Sequence, residues 1–316
     1  MHFIKKGIKR LEKKRQKNNR TLSIMTTKQT ITFATFQELL PDSCNHPLKK
    51  QLRDKARYYG RKFLFKKQCD ALVNFLNTNQ AWIPLFQQNP YRFNALLATY
   101  CDKRFSATDR LNAITNNLLM LEEKMGVEFC KKLLQEKSLL LAQLTDQLGI
   151  YFNINQIDPF EGYFSINLKD NDGRSIYDAS FTFLKPNKLL IASIQGPSYE
   201  EAQEAVKQAT KELHGVRPMF MLMNVFRLLA EKWQCELIGI PHTSQGKYRL
   251  SARSKILFNY DEFWQENQGQ LNGQYWQLPL ESARKPLEEI ASKKRSMYRK
   301  RYEMLDNLSE KITQFS

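Results

Sequence analysis

The sequence predicts an α+β protein in which an N-terminal helical layer is followed by an α/β half that opens with an antiparallel meander. Three observations carry this. Up to about Leu148 apolar residues recur at three and four spacing. From Gly149 they alternate, or run continuously, with β-branched and aromatic residues. After the last of those runs come two helical segments and a short strand. With 316 residues, 42% of them hydrophobic, the chain can bury a sizeable core in one or two domains.

Residues 1 to 28 carry ten Lys or Arg against the single acid Glu12, a polar setting that favours a disordered tail or a loose basic helix. Met25 offers a second start, in which case the tail is not made. From Thr35 the segments LVNFLN, FNALLATY, AITNNLLMLEEKM and FCKKLLQEKSLLLAQL have helical spacing. Pro41, Pro47, Pro84 and Pro90 punctuate them, and Thr108 and Asp109 offer N-caps. Residues 29 to 148 therefore form a helical subdomain, and residues 149 to 316 an α/β domain with a basic C-terminal helix.

In that second part YFSINL, KDNDGRSIYDASFTFL and KLLIASIQ supply three strands. NDGR at 171 to 174 is a hairpin turn, because Asp-Gly accepts positive φ, and Asn187 marks a second turn. LHGVRP separates a charged helix from the amphipathic helix MFMLMNVFRLLAEKW, and ELIGI at 236 to 240 is a strand. An irregular basic stretch, the segment YDEFWQ, a turn near Gly273 and the terminal helix follow.

The formal charge of +17 and a pI near 9.6 give long-range attraction to polyanions such as nucleic acid, anionic lipid headgroups or lipopolysaccharide phosphates. No recognised base-reading motif accompanies the charge, so nucleic acid ranks last among these partners. Cys44, Cys69, Cys101, Cys130 and Cys235 stand singly, which argues against a zinc site or other metal centre and against a disulfide framework. No apolar h-region follows the basic N-terminus, and no run of about 18 apolar residues occurs. The expected address is cytoplasmic, with the inner membrane surface as a peripheral station. GxSxG, HExxH, P-loop and dinucleotide fingerprints are absent from the sequence.

The candidate site centres on His214-Gly215-Val216-Arg217-Pro218. A turn opening a helix presents unpaired N–H groups and the positive end of the helix dipole, which together bind anions. Pro218 suits the first helical position, Gly215 permits positive φ, and Arg217 adds a forked cationic contact. A plain helix–helix turn is the favoured alternative. Gln195 and Gly196 end a buried strand, where glycine allows a ligand close to the backbone, although an ordinary strand-end turn explains them as well. His214 and His242 border breaks where general bases sit. MFMLMNVF is a buried helix, and YDEFW anchors a short helix on the sheet in preference to lining a pocket. On the terminal helix Lys293, Lys294, Arg295, Arg299 and Arg301 form a basic surface for phosphates, or a solvated charged face.

The segments IQGP at 194 to 197, ATKELHGVRPMFMLM from Ala209, YDEFW at 260 to 264 and PLEEIASKKRSMYRKRYEMLD from Pro286 to Asp306 resemble the VirK/YbjX family of Gram-negative bacteria, over residues 35 to 312. The resemblance implies a link to virulence and to envelope resistance against cationic peptides, and it brings no catalytic residue. The order of antiparallel strands, helix and strand is also similar to the GNAT-type acyltransferases, whose pyrophosphate loop opens the equivalent helix. That likeness implies acyl-coenzyme A or acyl-carrier protein as donor, with Gly215, Arg217, Gln195 and Gly196 around it and His214 or His242 as the base. The chain departs from that loop in having one Gly and a Pro instead of two spaced glycines, and in an extra helix from Tyr199 to Leu213. The alternative is a non-catalytic adaptor that binds anionic membrane or a partner protein through its basic surfaces.

Overall fold

A sheet of eight strands organises the computed structural model, which describes residues 29 to 246 and 258 to 315. The expected basic tail, and residues 247 to 257 of the irregular basic stretch, lie outside the described residues. Among the described residues seven α-helices precede the sheet: α1 (Phe36–Leu39), α2 (Leu48–Leu64), α3 (Lys66–Thr78), α4 (Ile83–Gln88), α5 (Asn94–Leu97), α6 (Ala107–Met125) and α7 (Val127–Glu136). The prolines mark breaks as expected: Pro84 lies in the first turn of α4, Pro47 is the N-cap of α2, and Pro41 and Pro90 open single 3-10 turns. The N-cap of α6 is Ser106, two residues before the expected Thr108. Its hydroxyl accepts from Asp109 N–H at 3.2 Å while the Asp109 carboxylate accepts from Ser106 N–H at 3.0 Å, a reciprocal capping box.

The strands are β1 (Ser138–Gln143), β2 (Leu148–Ile154), β3 (Phe164–Asp170), β4 (Ser175–Leu184), β5 (Lys188–Gln195), β6 (Glu236–Gly239), β7 (Gln270–Asn272) and β8 (Tyr275–Leu278), in the spatial order β1-β2-β3-β4-β5-β6-β8-β7. The helical reading of SLLLAQ is corrected: Ser138–Gln143 is the edge strand β1, paired with β2. Lys137, at φ 64, ends α7 in the left-handed region, and a run of leucines fits either period. The three-strand meander thus becomes five antiparallel strands. Its NDGR turn closes as expected, with Gly173 at φ 78 and Asp170 N–H donating to Arg174 O at 3.1 Å.

β5 and β6 form the parallel pair, joined through α8 (Ala202–Glu212) and α9 (Pro218–Lys232). Two further helices, α10 (Tyr260–Glu266) and α11 (Ser292–Gln314), complete the described elements. α9 is the buried helix expected, with Met221, Leu222, Met223, Val225 and Phe226 inside. α11 buries Met304, Leu308 and Ile312, and Lys311 Nζ donates to Gln143 O of β1 at 2.6 Å.

One apolar core runs from Phe33 to Ile312, so the N-terminal helices and the sheet share it. Polar links fasten the two layers. Tyr163 OH donates to Arg92 O at 2.8 Å, and the buried Arg92 guanidinium donates to Leu85 O at 2.8 Å and Asn155 O at 3.3 Å. Asn117 Oδ1 accepts from Phe183 N–H at 3.0 Å on the part of β4 that extends past β3. Among the described residues no helix is long and apolar enough to cross a membrane.

Candidate functional site at the carboxyl end of β5

Strand register gives the sheet two unlike faces. One carries the rows Ile154–Phe164–Phe181–Ile191 and Phe152–Ile166–Ala179–Ile194, against which Trp82, Phe129 and Phe226 pack. The other carries Asn153–Ser165–Ser180–Ser193 and, beside it, Tyr151–Asn167–Asp178–Gln195. Such alternation ordinarily places the polar side in water. Here Asn153, Ser165, Asn167, Asp178, Ser180 and Ser193 are all buried.

Burial of that many polar groups requires internal partners, and they are present. Ser165 Oγ donates to Asn167 Oδ1 at 2.8 Å, Asn167 Nδ2 donates to Asp178 Oδ1, and Ser175 Oγ donates to Asp178 Oδ2 at 2.7 Å. Lys169 Nζ donates to Asn153 Oδ1 at 2.7 Å and Ser138 Oγ at 2.9 Å. Burial raises the Asp178 carboxyl above its ordinary value, against the Ser175 hydroxyl and the Lys169 cation, which act to lower it.

The rows end at Glu161, which is 2% exposed on the loop between β2 and β3. Its Oε2 accepts from Ser193 Oγ at 3.2 Å and from Gln195 Nε2, and its backbone O accepts from Ser180 Oγ at 2.6 Å. Gln195, chosen from the sequence, therefore belongs to this cluster. A Cβ on Gly196 would lie 3.3 Å from the Tyr177 ring, so the glycine keeps the backbone tight against that ring.

Beside the cluster the parallel pair comes apart. β5 and β6 pair only over Lys188–Ile191 and Glu236–Gly239, closed by Ile240 N–H donating to Ile191 O at 3.1 Å. Beyond that point side chains take the place of a strand. Tyr260 OH accepts from Ile194 N–H and donates to Ile194 O, both at 3.1 Å, and Gln245 Nε2 donates to Ala192 O at 3.4 Å. Burial, and secondarily the Glu161 carboxylate, raise the Tyr260 hydroxyl above its ordinary value. YDEFW anchors α10 on the sheet as expected: Trp264 Nε1 donates to Ile240 O at 2.8 Å, over Gly239, where a Cβ would come within 2.5 Å of the indole.

His242 lies beside Tyr260, their ring centroids 6.1 Å apart, with Nδ1 accepting from Tyr260 N–H at 3.5 Å. His214 sits elsewhere, at φ 52 in the turn after α8, its carbonyl accepting from Arg301 Nε at 3.0 Å and Nη2 at 2.7 Å. Gly215, at φ 81, lies beneath the same guanidinium, and a Cβ there would be 2.9 Å from Arg301 Nη2. HGVRP is thus a helix–helix turn capped by α11. Arg217 is the N-cap of α9, half exposed, paired with Glu266 at 3.2 Å and lying over the Phe220 ring at 4.5 Å.

The basic residues of α11 divide by exposure. Arg301 is held at His214, and Arg295 donates to Ile290 O at 2.9 Å, whereas Lys293, Lys294 and Arg299 are exposed. A cleft of about 270 Å³ lies between α2 and α5, walled by Arg57, Arg61, Tyr91 and Phe160, and no residue of the polar rows lines it. The buried polar cluster at the end of β5 is thus separate from that cleft. Sequence reasoning missed Glu161, Asp178 and Ser193; for the two strand residues the signal available was a polar face shared by β2, β3, β4 and β5, and for the loop residue Glu161 there was none.

The family model "Protein of unknown function (DUF535)" matches residues 47 to 314. The chain is similar to an uncharacterized protein of Haemophilus influenzae, 63% identical over 92% of this chain and 100% of that protein. It is 32% identical to a protein named "Membrane protein LapB" from Mannheimia haemolytica, over 72% of this chain and 98% of that one. It is 29% identical to the uncharacterized protein YbjX of Escherichia coli, over 76% of this chain and 74% of YbjX. No solved structure matches. The model match and these relatives agree with the motifs quoted from the sequence, and the chain belongs to the DUF535 family, the VirK/YbjX family of proteins of unknown function.

Proposed function

We propose that the protein is an acyltransferase-like enzyme acting on an acceptor of the bacterial envelope, with its site where β5 and β6 part. The observation that carries this reading is the buried polar sheet face ending in Glu161, Ser193 and Gln195 beside that parting. Crevices at the carboxyl ends of diverging parallel strands are where ligands bind in open α/β sheets. The crossover returns α9 so that its amino end lies at the same end of the sheet, which supports a donor held by its phosphates at Arg217 and the first turn of α9. The donor in this reading is acyl-coenzyme A or acyl-carrier protein.

In the transfer the acceptor's hydroxyl or amine attacks the thioester carbonyl, its proton passes to Glu161, and the same proton leaves with the departing thiolate. Among the sequence-derived bases this reading keeps His242, whose ring lies beside that of Tyr260, and drops His214, whose carbonyl is held by Arg301. Thermal unfolding of the full chain against coenzyme A, acyl-coenzyme A and acyl-carrier protein tests the reading, since a ligand of the folded state alone raises the melting temperature. A shift lost in Arg217→Ala and in Glu161→Gln supports it, and no shift with any donor overturns it.

The exposed Lys293, Lys294 and Arg299 of α11 favour a second, non-catalytic reading, an adaptor in which those cations meet an anionic lipid or partner surface at the cytoplasmic face of the envelope. It expects no donor-dependent shift, and binding that charge reversal on α11 weakens.

A further inference from the structure

α2 is attached to the protein by one side only. Of its 17 residues Tyr58 alone is buried, its hydroxyl donating to Ala34 O at 2.7 Å and its ring 5.7 Å from that of Phe36. The outer side carries large apolar side chains in the open: Leu48 is 76% exposed, Leu52 67%, Tyr59 60% and Phe63 81%. At about 100° per residue these four fall within an arc of roughly 60°, a continuous stripe along the helix. The exposed Lys55 borders it on one side, where Lys62 turns its ammonium in to the Tyr58 hydroxyl at 3.0 Å, and the exposed Lys49 and Arg53 border it on the other.

Exposed apolar stripes require an explanation in a folded chain, and the charge around this one supplies it. Between Leu48 and Lys67 there are nine Lys or Arg and one acid, Asp54, which is paired with Arg53 at 3.3 Å. A second copy of the same face would bring like charge against like. Residues 1 to 28, with ten Lys or Arg and one acid, would do the same. A narrow apolar stripe with cations on both flanks fits the boundary of an anionic bilayer, where the apolar side chains enter the acyl region and the lysines and arginines meet headgroup phosphates.

We infer that α2 is a membrane-surface helix that docks the protein on anionic lipid through Leu48, Leu52, Tyr59 and Phe63. The inference rests on neither reading of the polar face, and it places membrane contact on α2 instead of α11. Full-length protein is sedimented with vesicles of phosphatidylcholine alone and of phosphatidylcholine mixed with phosphatidylglycerol. Binding to the mixed vesicles only is expected. The double variant Leu52→Ser, Phe63→Ser leaves the charge unchanged, so its expected loss of about tenfold or more in affinity reads apolar insertion, at an unchanged melting temperature. Lys49→Glu with Lys55→Glu gives a loss of similar size, and Lys293→Glu, Lys294→Glu, Arg299→Glu together give a smaller one. Wild-type affinity in the serine variant overturns the inference and assigns binding to cations elsewhere. Failure of the wild type to sediment with the mixed vesicles also overturns it, and leaves an acidic protein surface as the occupant of the stripe.

Discussion

Replacing Tyr260 by Phe removes one oxygen and exposes how the parting of β5 and β6 is held. In the wild type that hydroxyl accepts from Ile194 N–H and donates to Ile194 O, each at 3.1 Å, at a residue 2% exposed. Phe keeps the ring and its contacts with Phe258 and Trp264, at centroid distances of 5.0 and 6.1 Å. The change therefore isolates the hydrogen bonds. Two buried main-chain groups lose their partner, and a buried polar group without one costs about 1–3 kcal/mol. Partial relaxation makes about 2–3 kcal/mol the expected total. In a chain of this length each kcal/mol lowers the melting temperature by about 2 °C, so a fall of about 4–6 °C is expected. Urea titration followed by circular dichroism should show the midpoint moving with the slope unchanged. Because the hydroxyl is raised above its ordinary value by burial and by Glu161, the loss should be the same at pH 6 and pH 8. A variant within about 0.5 kcal/mol of wild type would show that another group already satisfies Ile194, and the reasoning would fail.

Arg301→Ala should cost about 1–2 kcal/mol by urea titration, since its forked donation to His214 O closes the turn between α8 and α9, and Arg301→Lys should recover only part of it. Full stability in Arg301→Ala would return that side chain to the list of free surface cations. The Asp178 carboxyl, raised by burial above its ordinary 3.8, holds its proton in the fold at a pH where the unfolded chain has released it. Its contribution is thus fully present below the unfolded value and is lost as pH rises through the folded one. Asp178→Asn should be more stable than wild type at pH 7, with the difference closing toward pH 3.5; a constant difference across that range would contradict the assignment.

Elements built from a single unambiguous period were legible in the sequence. KLLIASIQ, NDGR, the α9 segment and ELIGI stand where their patterns put them, because each combines a period with a chain-breaking residue. SLLLAQ was not legible, since consecutive leucines satisfy helix and strand alike and the left-handed Lys137 that ends α7 has no sequence signature. The candidate site was half legible. Gln195 and Gly196 are marked by the end of their strand, and HGVRP by its Gly and Pro. The polar face was hidden for a different reason: within any one strand, Asn153 or Ser180 reads as the wet side of an ordinary alternation. Only pairing across β2, β3, β4 and β5 lines these residues up, and only tertiary burial shows that water is excluded from them. Glu161 lies in a loop and joins the row through contacts 19 to 34 residues away, which no local pattern encodes.

The seal that α11 places on β1 joins elements separated by 168 positions, through Lys311 Nζ and Gln143 O. An edge strand is a template for pairing with other chains until something covers it. During synthesis β1 to β5 can add in chain order, each hairpin on the last, while the outer margin of β1 waits for the final helix to be made. The outer margin of β1 therefore gains its α11 contact only after every strand of the sheet has been made, and until then it has the geometry of an open edge.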